Sequence, residues 1–285
     1  MAHNRVRTKP RRVSFQGERG AFSEQAAQAF FGRRIVTVPL QGFQDVFESV
    51  TNRKAGAAVI PIENSLFGSI HQNYDLLQRY DLKIIGEIKL RIVHCLLAMR
   101  GVRMRGIKRI YSHPQALGQC EEFLSRFKNL ETVPAYDTAG AAKMIREHRD
   151  MEAAAIAGLQ AARVYKLSVL RRNLESNHQN YTRFLVLARG EVRPKHNAKT
   201  SIIFSAKDIP GALFRALGVF ALRDINLFKI ESRPIAGKPW EYLFYLDFSG
   251  AHVDEVSRYA LDHLSEISTS MKILGSYEHG ITIKA

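Results

Sequence analysis

Ala57-Ala58-Val59-Ile60-Pro61-Ile62-Glu63-Asn64-Ser65 runs six apolar residues without a break and then turns polar at once. A strand with one wet face alternates apolar and polar residues. A continuous apolar run of this length is covered on both faces, as the strands of a parallel sheet are. The neighbouring segments supply the cover. Upstream, Phe43, Val46, Phe47 and Val50 have helical spacing, and before them Ile35 to Val38 and Val13-Ser14-Phe15 read as strands. Ser23 is positioned to cap an alanine-rich helix that stops at Gly32. Downstream, Ile70 to Gln78 reads as a helix and Lys83 to Met99 as a long extended stretch broken by Gly101 to Gly106. Ile107 to Tyr111, Thr132 to Tyr136 and Ala153 to Ala157 are further strands. Helices follow from Pro114, Thr138 and Leu159, with Pro114 at a first helical position. Repeated strand–helix units predict a mostly parallel sheet with helices on both faces.

Tyr181-Thr182-Arg183-Phe184 opens another apolar strand, Phe184 to Leu187. A hydroxyl beside a guanidinium has no packing use at a strand mouth, and burying that charge unpaired costs several kcal/mol. Facing a cleft, the pair suits an anion: a planar fork for a carboxylate and a proton donor beside it. An ion pair with a neighbouring acid at a sheet edge is the competing reading. The extended stretch near Ile88–Leu97 leaves a first lobe and Phe184–Leu187 returns to it. This predicts two lobes joined by two crossing strands, with a ligand cleft between them.

The chain of 285 residues has 46% apolar content, enough for packed cores in two or three domains. No apolar run reaches the roughly 18 residues of a membrane helix. The start of the chain, residues 1–12, is basic without an apolar signal region and reads as a flexible arm. Cys95 and Cys120 sit in apolar patterns and read as buried free thiols of a reducing compartment, which makes the cytoplasm the default location. No Cys/His spacing suggests a metal site. The net charge is +15. Residues 1–12 carry five basic and no acidic residues, 13–198 carry 27 basic and 17 acidic, and 199–285 carry ten of each. Without a basic stripe interleaved with aromatics or a nucleic-acid motif, the excess fits steering of a small polyanionic substrate better than nucleic acid.

Residues 190–198 are charged, contain Pro194 and lack periodicity, so they read as a linker. Beyond them the order is strand (Ser201–Phe204), helix (Gly211–Leu222), strands (Leu227–Glu231, Tyr242–Phe248), helix (Val253–Ile267) and strand (Met271–Ser276). That βαββαβ order in about 85 residues is a ferredoxin-like unit. It is neutral and small, and suits regulation or assembly.

Four turns in the first region lie between a strand end and a helix start, where open α/β sheets bind ligands. Gly17 to Ser23, with Gly20 and Ala21, resembles an anion nest. Glu63-Asn64-Ser65 follows the buried strand. Ser112-His113-Pro114-Gln115 follows another, with Gln119 one helical turn on. Asp137-Thr138 precedes a helix and also fits a plain cap. The inventory is one of donors, amides and hydroxyls with one Arg. No dinucleotide fingerprint and no Ser-His-Asp order stands out, so a cofactor-free reaction needing anion binding and one proton donor fits best.

Gly17–Ala27, Val59 to Ser65, Tyr111 to Cys120, Asp137 to Ala142 and Asn180 to Phe184 resemble the motifs of the prephenate dehydratase family. Gly211-Ala212-Leu213-Phe214 and Glu231-Ser232-Arg233-Pro234 resemble the phenylalanine-binding motifs of its ACT domain. The match spans about residues 13–278 in family order. The resemblance implies a two-lobed, periplasmic-binding-protein-like catalytic region over 13–189, a linker over 190–198 and a ferredoxin-like ACT domain over 199–285. It also implies decarboxylating dehydration of prephenate to phenylpyruvate, without cofactor or metal. With no chorismate mutase helix ahead of the first strand, the monofunctional form is expected. Arogenate, with an amine in place of the keto group, is the alternative substrate.

The roles the resemblance implies are specific. Arg183 would hold a carboxylate, aided by the turns of Gly17 and Ser65. Thr182 would protonate the leaving hydroxyl, polarised by Glu63, Asn64, Ser112 or Gln119. Gly20, Ala21, Ser65, Thr138 and Phe184 would touch substrate. Phenylalanine would bind as effector at Gly211, Ala212, Leu213, Asn226 and Leu227, coupled through Glu231, Ser232 and Arg233. The ACT domains would pair in a homodimer or homotetramer, with no nucleic acid or membrane partner. A solute-binding module of the same fold and a DNA-binding regulator carrying an ACT domain are the rival classes.

Overall fold

The structure is a computed structural model, and it describes residues 12–283 except 128, 208 and 236. The basic arm expected over 1–12 lies outside the described residues up to position 11; Arg12 already belongs to the first strand, Arg12–Gln16. The chain divides into two units. Among the described residues, one comprises 12–71, 88–184 and 281–283, and the other 72–87 and 185–280.

The first unit holds both expected lobes. In the first, Arg12–Gln16 lies between Val36–Leu40 and Ala57–Asn64, parallel to both. Ala57 to Ile60 and Ile62 are buried, as the unbroken apolar run requires. Helices Phe22–Phe31 and Phe43–Thr51 pack here, the second burying Val46, Phe47 and Val50 of the helical stripe. The second lobe is a five-stranded sheet in the order Ser168–Arg172, Cys95–Ala98, Ala153–Ala157, Arg109–Ser112, Glu131–Pro134. Ala153–Ala157 is fully buried at its centre, and its small side chains let helices close on both faces. The chain passes between the sheets twice, through Ile92 to His94 and through Asn173 to Asn180.

Three local readings change. Ser23 does not cap its helix: the N-cap is Ala21, with no side-chain cap, and Ser23 sits inside the first turn. The helix read over 70–78 runs His71–Arg79, and from Gln72 onward it belongs to the other unit. The last strand, Ile281–Ile283, pairs parallel with Ile88–Leu90 and joins the first sheet, so the C-terminal domain expected to extend to 285 gives up its final residues.

The second unit carries a four-stranded antiparallel sheet, Leu227–Ile235, Lys238–Ser249, Ala198–Ala206 and Ser268–Glu278 in that spatial order. This is the ferredoxin-like arrangement, with helices Ala212–Ala221 and Glu255–Ile267. Phe204, Val219, Phe220, Leu246, Phe248, Leu261 and Leu264 form its core. Helix residues 72–79 are tied to it: Arg233 pairs with Asp75 at 3.1 Å, Tyr245 Oη donates to the Tyr74 carbonyl, and Lys272 Nζ donates to the carbonyls of Leu77, Gln78 and Tyr80. Lys199 is buried and holds Glu87 with both carboxylate oxygens, at 2.8 and 2.9 Å.

Candidate active site

A cleft of ≈ 400 Å³ lies between the two lobes of the first unit. Strand ends and helix starts surround it, which is where open α/β sheets place ligands. Ala21, Asn64, Gln119, Thr138, Thr182 and Phe184 of the expected site line it, together with His113, Gln115 and Asp137 from the same turns. The uncapped first turn of helix Phe22–Phe31 also lines it, through Phe22 and Ser23. An uncapped helix start offers amide donors and the positive end of a helix dipole to an anion.

Thr182 is buried at the mouth of strand Tyr181–Ala188. Its Oγ1 accepts a hydrogen bond from Asn64 Nδ2 at 3.0 Å. The same amide donates to Asn180 Oδ1 at 2.7 Å and to the Tyr181 carbonyl at 3.2 Å. Asn64 Oδ1 accepts from the amides of Leu66 and Phe67, so the side chain is held from both ends and cannot flip. The Thr182 oxygen is therefore fixed as an acceptor and its own proton is left to donate. Of the four proposed polarising neighbours, Asn64 is the one hydrogen-bonded to Thr182.

Ser112 is elsewhere: fully buried, it donates to the Ile156 carbonyl at 2.6 Å and braces the second sheet. Arg183 is buried beside Thr182 but does not line the cleft. Adjacent side chains of a strand point to opposite faces, and Thr182 and Phe184 take the cleft side. Arg183 lies 3.6 Å from Glu63, the ion pair that was its competing reading.

The turns expected to hold an anion through their amides are largely occupied by the protein itself. The Gly17 amide donates to the Leu40 carbonyl, Glu18 to Asp137 Oδ2 at 2.8 Å, Gly20 to Glu24 at 2.6 Å and Ala21 to the Glu18 carbonyl. Gly20 is a packing position: its φ is +89°, and a Cβ there would stand 2.7 Å from Ala161 Cα. Ser65 gives its amide to the Tyr181 carbonyl and its hydroxyl to the Gln179 carbonyl, and so clips two strand ends together. Asp137 caps its helix through Ala139 and Gly140, as the cap reading expected, while its other oxygen ties in Glu18.

His94 belongs to the site although no turn motif contains it. It is buried, lines the cleft, and meets Gln119 Oε1 through Nε2 at 2.6 Å; its ring stands edge-on to Phe22. Burial holds its imidazole below the ordinary value, against the upward pull of the Gln119 hydrogen bond and of Glu175. An imidazole inside the apolar run Ile92-Val93-His94-Cys95-Leu96 is the same signal as a guanidinium at a strand mouth, and it could have been read the same way. His113 caps helix Pro114–Gln119 through Nδ1, and burial lowers its pKa against the opposing effect of Asp137. At the rim, Glu18 accepts from Tyr136 Oη at 2.7 Å and Lys143 Nζ at 3.1 Å.

In the second unit, Gly211 has φ +77° and caps helix Ala212–Ala221. Leu213 and Phe214 are both exposed in its first turn. The Asn226 carbonyl accepts from the Ser249 amide and its own amide donates to Ser249 Oγ, and Leu227 starts the edge strand opposite Phe248. Glu231 pairs with Lys229 at 3.4 Å, Ser232 is exposed, and Arg233 holds Asp75.

Against known proteins, the family described as prephenate dehydratase matches residues 13–192, and the ACT domain matches 200–256. The Arabidopsis thaliana protein named arogenate dehydratase/prephenate dehydratase 2, chloroplastic, is 48% identical over 277 residues, covering 93% of this chain and 72% of the relative. The prephenate dehydratase of Arthrobacter aurescens, solved in complex with L-Phe, is 32% identical with a TM-score of 0.87, covering 94% of this chain and 90% of that one. A structure described as GqqA, a novel type of quorum quenching acylase, is 34% identical with a TM-score of 0.87, covering 94% and 98%. The chain belongs to the prephenate dehydratase family: it is a decarboxylating dehydratase with a C-terminal ACT domain.

Proposed function

We propose that this chain converts prephenate to phenylpyruvate, with Thr182 as the proton donor to the departing hydroxyl. The observation that carries this is the bond from Asn64 Nδ2 to Thr182 Oγ1. A threonine hydroxyl is a weak acid. A donor on its oxygen draws electron density from the O–H bond and prevents the hydroxyl from turning its proton inward. As the hydroxyl leaves with that proton, the ring carboxylate departs as carbon dioxide and its bonding pair completes the aromatic ring. The driving force belongs to the substrate, so the protein's share is positioning and stabilisation of the leaving group. The uncapped helix start at Phe22 and Ser23 favours a substrate carboxylate. Arg183 acts from behind, holding Glu63 and the strand mouth in place. An acyl-transfer reading would need a base beside the Thr182 hydroxyl, and its partner there is an amide donor.

The effector reading takes phenylalanine at the Gly211 turn of the ACT domain. Association through that domain is supported by the edge strand Leu227–Ile235, which exposes Phe228 and Ile230, and by exposed Phe214. A cytoplasmic location is part of the same proposal and rests on the two buried free thiols. The test is turnover of prephenate, followed as phenylpyruvate absorbance in alkali, for wild type and Thr182→Ala. The variant should fold, keep its KM within a few-fold and lose about 100-fold or more in kcat. Turnover within a few-fold of wild type would remove Thr182 from the mechanism.

A further inference from the structure

The second lobe carries a concave basic pocket that shares no lining residue with the cleft. We propose that it is a phosphate site, in which Arg126, Arg171 and Arg172 hold the phosphate group of a small metabolite or the free ion. The site does not depend on the reaction in the cleft.

The pocket has a volume of ≈ 340 Å³, and three stretches of one lobe form its walls. Short helix Glu121–Leu124 and the turn after it bring Glu122, Phe123 and Arg126. The end of strand Ser168–Arg172 brings Arg171 and Arg172, and the crossing segment after it closes the far side. Consecutive strand residues point to opposite faces, yet both arginines line the pocket. They end an edge strand of the sheet. Leu170 is an extra residue in its pairing with Cys95–Ala98, and Asn173 takes a left-handed φ of +55°. A bulge adds twist and re-aims side chains, and asparagine tolerates the left-handed conformation better than most residues. The Arg171 guanidinium stands over the buried Phe123 ring, 5.9 Å from its centroid, and is held there before any ligand arrives.

The charges do not balance. Lys108 and Arg109 of the same lobe pair with Glu152 and Asp150. Among the described residues, no carboxylate lies in ion-pair range of Arg126, Arg171 or Arg172. Two acids do line the pocket. Glu175 is already matched, by Arg91 at 3.7 Å, His178 at 3.5 Å and the His94 amide at 3.0 Å. That leaves the carboxylate of Glu122 against three guanidinium groups, an excess of two positive charges. A concave wall of one sign focuses its field on a counter-ion. A phosphate group carries close to two negative charges at neutral pH and three strong acceptor oxygens. The guanidinium fork matches that group's oxygens as it matches a carboxylate. A short dicarboxylate carries the same charge on two flat groups set apart, and so presents it less densely. All three arginines are exposed, so a ligand can enter and leave freely.

The experiment is isothermal titration of the full-length protein at constant ionic strength with inorganic phosphate, glycerol phosphate and malonate. Both phosphates should bind saturably with a Kd of about 1 mM or tighter, as a few charge-assisted contacts allow. The double variant Arg171→Gln with Arg172→Gln should bind about tenfold more weakly or worse, and Arg126→Gln about threefold more weakly. Arg103→Gln removes an exposed charge of the same lobe outside the pocket and should bind as wild type does. If the double variant does not fold, Arg126→Gln decides from a different element. Tighter glycerol phosphate identifies a phosphate monoester as the ligand, tighter inorganic phosphate the free ion, and either supports the site. The proposal is overturned if wild type shows no saturable binding, if the pocket variants bind as wild type does, or if Arg103→Gln loses as much as they do. Malonate binding as tightly as phosphate overturns it too.

Discussion

Asn64→Asp separates the polarising role of Asn64 from its structural one. The substitution is nearly isosteric and keeps the oxygen that accepts from Leu66 and Phe67, at 3.0 and 3.2 Å. It replaces the Nδ2 group that donates to Asn180, Tyr181 and Thr182, at 2.7, 3.2 and 3.0 Å. All three of those partners are acceptors in the present geometry. A second carboxylate oxygen would face them without a proton to offer. The hydroxyl of Thr182 could satisfy it only by turning its proton inward, away from the leaving group. The folded state loses two N–H donors among buried partners, a destabilisation of about 1–3 kcal/mol. The chemical step loses its oriented donor, about 100-fold in kcat or more, equivalent to about 2.7 kcal/mol. KM should move little, because the contact lies behind Thr182. Initial rates with prephenate give kcat and KM, thermal denaturation gives the stability change, and Asn64→Asp combined with Thr182→Val gives the coupling. The double variant should be hardly slower than Thr182→Val. A kcat for Asn64→Asp within a few-fold of wild type would refute the reasoning, as would fully additive losses in the double variant.

Other outcomes follow from burial. His94 and His113 are both held below the ordinary value of 6.5 by burial, so the unfolded chain takes up protons before the native state does. Stability should be full above about pH 6.5 and fall as pH drops below it; denaturant melts from pH 7.5 to 5 should show this, with a shallower slope in His94→Gln. Burial pushes the Cys95 thiol up to about 11 and Cys120 to about 12. Neither should react with a thiol reagent in the native protein at pH 8, and both should react in denaturant.

The cleft was legible because its residues lie at strand ends or, for Thr182, at a strand mouth. Asn64, Gln119 and Asp137-Thr138 were legible from turns that lie between a strand end and a helix start, and Thr182 from a hydroxyl and a guanidinium that open an apolar strand. Their division of labour was not legible. Period-two alternation puts Thr182 and Arg183 on opposite sides, but a sequence does not say which side holds the cleft. The Gly17 turn looked like a nest for a ligand, and its amides from Gly17 to Ala21 are largely claimed by Glu24, Asp137 and two backbone carbonyls. A nest motif predicts an anion without saying that the protein supplies it. His94 was missed because attention to turns passes over polar residues in the crossing segments. Ser112 followed the same strand-end rule and failed it, since its hydroxyl returns to its own sheet.

Helix residues 72–79 show the remaining gap, and they bear on regulation. Their amphipathic pattern says helix but not which core receives it, and they join the C-terminal unit. This segment leaves the cleft at Ile70 and returns to it at Ile92 through strand Lys83–Arg91. Between those points it is held by Arg233 at Asp75, Lys272 at three carbonyls and Lys199 at Glu87. Arg233 belongs to the Glu231-Ser232-Arg233 segment expected to couple the effector to catalysis. A ligand can shift activity only through contacts that differ between states, and Arg233–Asp75 is a contact between this segment and helix residues 72–79. Asp75 is half exposed, so as a surface pair the contact contributes only about 0–1 kcal/mol to stability. Asp75→Asn should therefore leave the melting temperature and uninhibited kcat near wild type. Inhibition by L-phenylalanine should weaken by about fivefold or more, the lower end of an ordinary coupling free energy. Calorimetric binding of phenylalanine should persist, since Asp75 lies outside the proposed effector pocket. Unchanged inhibition in Asp75→Asn would break the proposed link and move the coupling to Lys272 or to the buried Lys199–Glu87 pair.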